Sequence, residues 1–153
     1  MATIPVDVRV LQRAVQIYIT QAYAGQTLPA PVQEREARVM ALDVADPVST
    51  DLFEPGSAPG AEAYELRLGQ PMYPHMKMII ENRPAGPGVI FRADAHDTHL
   101  HAPPDSADAP LLAKLRVSNQ QMVEKIEAAW VAAGVPTFRD YLRQELADRR
   151  ARR

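Results

Sequence analysis

Apolar positions along this chain change their spacing twice, and the two changes divide it into three parts. In VDVRVLQRAVQIYITQAYAG (residues 6–25), Leu11, Val15, Tyr18 and Ala22 recur on one side of a 3.6-residue turn, and Gly25 is a stop. The spacing predicts a helix from Asp7 on, although Val6, Val8 and Val10 also alternate as a strand would. PVQEREARVMALDVADP (31–47) is charged in its first part and apolar at Val39, Met40 and Leu42, which suggests a short helix packed at its C-terminal half. Residues 46–62 hold Pro47, Pro55, Gly56, Pro59 and Gly60 and read as a loop too short and rigid to separate two domains.

The spacing then becomes two. AYELRLG (63–69) alternates Tyr64, Leu66 and Leu68 with Glu65 and Arg67. YPHMKMIIEN (73–82) alternates Met76, Met78 and Ile80 with His75, Lys77, Ile79 and Glu81. GVIFRADAHD (88–97) alternates Val89, Phe91, Ala93 and Ala95 with Ile90, Arg92, Asp94 and His96. Three such segments in succession predict an antiparallel β-meander with one covered face, its second turn at RPAGPG (83–88). Met72, Met76 and Met78 read as core filling.

Helical spacing returns over 106–134, where Leu112, Leu115, Met122, Ile126, Ala129 and Ala133 form a stripe. Asp108 is the expected N-cap, Pro110 sits in the first turn, and Gly134 and Pro136 close the helix. Asn119 interrupts the stripe and reads as a cap on a loop backbone. Trp130 lies off the stripe, suited to the last helix or to a contact surface. Thr137 and Asp140 then resemble a capping box opening a last helix, with Phe138, Tyr141, Leu142 and Leu146 facing in. The expectation is one α+β domain over residues 1–153: a three-stranded antiparallel meander with two helices before it and two after, packed on one sheet face.

At 153 residues the chain is long enough to bury a core without cross-links, and the absence of cysteine excludes disulfides, thiolate metal sites and cysteine nucleophiles. No basic-then-apolar leader is visible and no segment approaches the roughly 18 apolar residues of a membrane span, so no membrane association and a cytoplasmic protein are expected. Net charge is −2, which argues against general nucleic-acid binding except through the C-terminus. Residues 143–153 hold five arginines against Glu145 and Asp148, a +3 tail on a body of −5 that reads as a solvated, mobile helix end.

Candidate chemistry concentrates in FRADAHDTHLHAPP (91–104), which carries three of the four histidines. Pairing residue 82 with 89 across the turn sets Lys77 opposite Asp94 and His75 opposite His96, all on the polar face. Opposed Cβ atoms there lie about 4.5–5.5 Å apart, close enough for a shared site. The candidate ligand-binding residues are therefore His75, Lys77, Arg92, Asp94 and His96. The candidate metal ligands are His75, Asp94, His96, Asp97 and His99. Two imidazoles and a carboxylate suit a divalent ion such as zinc, nickel, manganese or iron, and the cations on the same face suit a small anion.

Each residue also has a plainer reading. Lys77 and Asp94 fit an ordinary cross-strand ion pair, the histidines fit half-buried surface positions, and His101 fits a loop. His99 and His101 would point away from His96 in a continued strand. The H-x-x-H-x-H run is not a standard zinc spacing, HDT lacks the second copy that two-histidine phosphodiesterases need, and no phosphate-binding or nucleophile motif is present. The expectation is a small binding or regulatory protein for a divalent metal or small anion. One alternative is a hydrolase using the same cluster; another is a helical module that meets a protein partner or a second copy of itself.

Overall fold

The structure, a computed structural model, describes residues 3–55, 62–66, 68, 76–95 and 105–152. Its elements in chain order are β1 (Thr3–Ile4), α1 (Val8–Tyr23), α2 (Ala30–Met40), β2 (Val48–Ser49), a 3-10 turn (Thr50–Leu52), β3 (Glu54–Pro55), β4 (Glu62–Leu66), β5 (Met76–Arg83), β6 (Gly88–Ala95), α3 (Ala109–Ala132) and α4 (Phe138–Ala151). The class is α+β, with four helices among the described residues.

The Asp7 carboxylate accepts from the backbone N–H groups of Arg9 (2.8 Å) and Val10 (3.3 Å), so the Val6–Val10 alternation yields to a capped helix. Helix α1 buries Val8, Leu11, Val15, Tyr18, Ile19 and Ala22 and ends on Ala24 and Gly25, both with positive φ. Gln12 Nε2 donates to the Leu42 carbonyl at 2.9 Å and so ties α1 to the chain just past α2. In α2 only Val32 and Val39 are buried; Met40, expected to pack, is exposed.

The described residues of the expected loop, up to Pro55, form short strands. They supply β2, which pairs with β1 in a two-stranded sheet, and β3, which adds a fourth strand to the meander. The larger sheet has the order β3-β4-β5-β6, antiparallel throughout. Its register is the one read from the turn, with Asn82 opposite Val89 and Lys77 opposite Asp94.

Met76, Met78, Ile80, Phe91 and Ala93 are buried in one core with α3, which packs on β6, and with α1, which packs on α3. The sheet face opposite these residues was expected to be polar and open, and it is not. Lys77, Ile79, Glu81 and Ile90 are also buried there, with Glu81 only 1% exposed. Helices therefore do not cover one face alone. The first turn of α4 sets the Phe138 and Tyr141 rings against the Arg83 guanidinium. Arg35 and Arg38 of α2 border a cavity of about 160 Å³ shared with Phe53, Glu54 and Glu65.

Trp130 is the centre of the packing rather than a surface contact. It is fully buried, its ring lies 6.4 Å from Tyr18 and 6.1 Å from Phe91, and its Nε1 donates to the Ala14 carbonyl at 3.0 Å. Asn119 is likewise fully buried within α3. Asp108 does not cap α3 through its side chain; Ser106 Oγ instead accepts from the Asp108 N–H at 3.3 Å. Beyond Gly134 the chain runs beside β6, where the Phe91 N–H donates to the Pro136 carbonyl at 2.8 Å and covers that sheet edge. Thr137 caps α4 as expected, accepting from the Asp140 N–H at 3.1 Å. Helix α4 itself buries no residue: Leu142 and Leu146, expected to face in, are 44% and 52% exposed. No helix among the described residues is long and apolar enough to cross a membrane.

Candidate functional site

The described part of the cluster consists of Lys77, Arg92 and Asp94; His75, His96, Asp97, His99 and His101 lie outside the described residues. Lys77 and Asp94 are opposed in register but do not form the expected pair. The Lys77 ammonium turns to the other flank of β5 and meets Glu65 Oε1 at 2.6 Å. Both of these side chains are nearly enclosed, 6% and 11% exposed. A buried carboxylate without a countercharge is far more costly than a half-buried one still in touch with water, so Glu65 wins the lysine from Asp94.

Arg92 is engaged in the same way. Its Nη2 lies 3.4 Å from Glu81 Oε1, and its guanidinium sits 5.2 Å from the centre of the Phe138 ring. Glu81 is shared with Arg83, whose Nη2 and Nε both reach Glu81 Oε2 at 2.9 Å. Arg92 Nε is buried and has no hydrogen-bond partner among the described residues. Of the two cations read as ligand-binding groups, Lys77 is thus paired with Glu65, while Arg92 has only a share of Glu81, which Arg83 holds more closely.

Asp94 is the exception. It is half-buried, its cross-strand lysine is taken, and no described residue forms a hydrogen bond or ion pair with it. Its charge is felt nearby: it helps raise the pKa of both Tyr18 and Glu127. Burial is the larger cause in each. The Tyr18 hydroxyl is enclosed in the core with no hydrogen-bond partner among the described residues, and burial, then Tyr23, then Asp94 hold it firmly as the neutral phenol. Burial raises the Glu127 carboxyl despite Arg139 Nε at 3.1 Å, because that arginine is 43% exposed and its charge is screened by solvent.

Four residues around this site were not singled out from sequence. Glu81 lies diagonal to Arg92 in the β5–β6 register already read from the turn, and a register for β4 against β5 would have added Glu65 beside Lys77. Tyr18 and Glu127 come from helices, and nothing in their local sequence points to the sheet. The last described pair of the β5–β6 ladder is Met76 with Ala95, and His75 and His96 are their neighbours in sequence. Among the described residues no group of three or more histidine, aspartate or glutamate side chains is arranged to hold a metal ion. A groove of about 610 Å³ between α1 and α2 is lined by Gln16, Thr20, Tyr23, Gln26 and Glu36, and has one carboxylate among its described lining. The chain matches no protein-family model, no curated protein and no solved structure.

Proposed function

We propose that this is a small binding or regulatory protein whose ligand is a divalent metal ion, held at the Asp94 end of the β5–β6 pair. Asp94 would act with His75 and His96, and with Asp97 and His99 from the stretch that follows. The supporting observation is the distribution of charge. Lys77 is paired with the buried Glu65 and Arg92 is turned toward Glu81 and the Phe138 ring, whereas Asp94 has no hydrogen-bond or ion-pair partner among the described residues. That balance favours a cation over a small anion at this end of the sheet. Two imidazoles with a carboxylate suit zinc, nickel, manganese or iron.

Calorimetric titration of the metal-free protein with zinc, nickel and manganese chloride tests the reading. Asp94→Asn, His75→Ala and His96→Ala are each expected to weaken binding at least about tenfold, with effects that do not add, since each removes a ligand from one site. Binding should also weaken as pH falls through about 6.5, because only neutral imidazole coordinates. The reading fails if wild type binds none of the three ions more tightly than the triple variant does. A phosphate titration then decides whether the anion version survives.

A further inference from the structure

We infer that α4 is a docking ridge for a second copy of this chain, and that its acceptor is the acidic turn following α2. Among the described residues, the ring and ion-pair contacts of helix α4 with the rest of the fold come from its start: the Phe138 and Tyr141 rings on Arg83, the Phe138 ring on Arg92, and the Arg139–Glu127 pair. Beyond that first turn no residue is buried, and Leu142 and Leu146 stand exposed one turn apart. At 3.6 residues per turn, Arg149 flanks this apolar pair on one side, and Arg143 and Arg150 flank it on the other. Residues 138–153 hold six arginines against Asp140, Glu145 and Asp148, a net +3.

The complementary surface lies in the same chain. Residues 39–55 contain Asp43, Asp46, Asp51 and Glu54 and no lysine or arginine, a net −4. Within them Met40, the last residue of α2, and Val44, in the turn beyond it, are 37% and 52% exposed. The turn is held in shape, since Asp46 Oδ2 accepts from the Asp43 N–H at 2.8 Å and the Asp43 carbonyl accepts from the Asp46 N–H at 2.9 Å. Exposed leucines on a net-positive helix thus match exposed apolar residues in a net-negative turn. All four apolar side chains are exposed within one chain, so neither surface satisfies the other in cis. The match is available in trans, where ridge meets turn head to tail. The contact is small, so association is weak and charge-assisted.

Sedimentation velocity on the full chain, up to about 0.5 mM and at low salt, reads the association directly. Wild type should associate with rising concentration, and about 0.5 M NaCl should reverse this by screening. Leu142→Glu/Leu146→Glu removes the ridge and Met40→Glu/Val44→Glu removes the acceptor. Each variant alone should be monomeric, with an unchanged circular dichroism spectrum because all four positions are exposed. Mixed together, they should form a 1:1 dimer, because one supplies an intact turn and the other an intact ridge. A wild type that stays monomeric throughout overturns the proposal, and its co-sedimentation with anionic phospholipid vesicles would then assign the ridge to a membrane surface. Self-association that survives loss of the turn would show α4 pairing with α4, and also overturns it.

Discussion

Lys77 shows how a single side chain chooses among partners inside a fold. Asp94 is its cross-strand neighbour, yet Glu65 holds it at 2.6 Å because that carboxylate is the more deeply enclosed. Lys77→Met should therefore destabilise the protein by about 3–5 kcal/mol, the usual cost of breaking a buried ion pair by removing one partner. Lys77→Met/Glu65→Leu should recover most of that loss, since an apolar pair replaces the ion pair. Urea denaturation of the three proteins checks both, and a double variant no better than the single would refute the explanation. Glu127 makes a second residue-level case. Burial raises its pKa, Arg139 and Arg92 oppose the rise, and Asp94 and Glu124 add to it. A folded pKa above the unfolded one means that the folded state binds the proton more tightly. The stabilisation is complete below the unfolded pKa and is lost as pH rises through the folded one. Wild type and Glu127→Gln should thus be nearest in stability in acid, with the variant gaining relative to wild type as pH climbs through the raised carboxyl range. Denaturation midpoints measured across that range give the sign directly.

At the scale of elements, α3 and α4 divide the work of the C-terminal third. The second half of α3 buries Met122, Val123, Ile126 and Trp130 against α1 and β6, while α4 buries nothing. Deleting residues 149–153 should accordingly leave the fold intact and shift Tm by no more than a few degrees. A fall of ten degrees in a calorimetric scan would mean that the end of α4 is docked after all. The start of the helix is another matter. Thr137 is buried and its hydroxyl accepts from the Asp140 N–H, so Thr137→Ala should cost about 1 kcal/mol, read from the denaturation midpoint.

For the molecule as a whole, one cluster of buried residues runs from Ile4 to Val135 and draws on α1, α2, α3 and the sheet. Trp130 stands within it, touching Tyr18 of α1 and Phe91 of β6. Loss of tryptophan fluorescence should therefore coincide with loss of helical circular dichroism in a single urea transition, as for one cooperative unit. Two separated transitions would show that the helices and the sheet unfold independently. Charge is also organised at this scale, with the basic C-terminal ridge and the acidic turn after α2 in one chain. Salt should thus affect self-association far more than it affects the denaturation midpoint, because the ion pairs at Glu65 and Glu81 are buried and little screened.

The sequence by itself determined the helices, the meander and the register of its second hairpin. Those are set by local periodicity, by caps such as Asp7 and Thr137, and by a turn whose length leaves little choice of pairing. It also placed Lys77, Arg92 and Asp94 on one face of the sheet, since alternation assigns a side chain to one face or the other. Tertiary structure alone decided what each face meets. Periodicity distinguishes two faces but does not say whether one of them is wet, so Lys77, Ile79, Glu81 and Ile90 looked exposed and are buried. The same limit applied in reverse to Leu142 and Leu146, an apolar stripe left about half exposed, and to Trp130, off its stripe and yet fully buried in the core. Which carboxylate takes Lys77 depends on the relative burial of Glu65 and Asp94. Burial is a property of everything packed around a residue, and no short stretch of chain contains it.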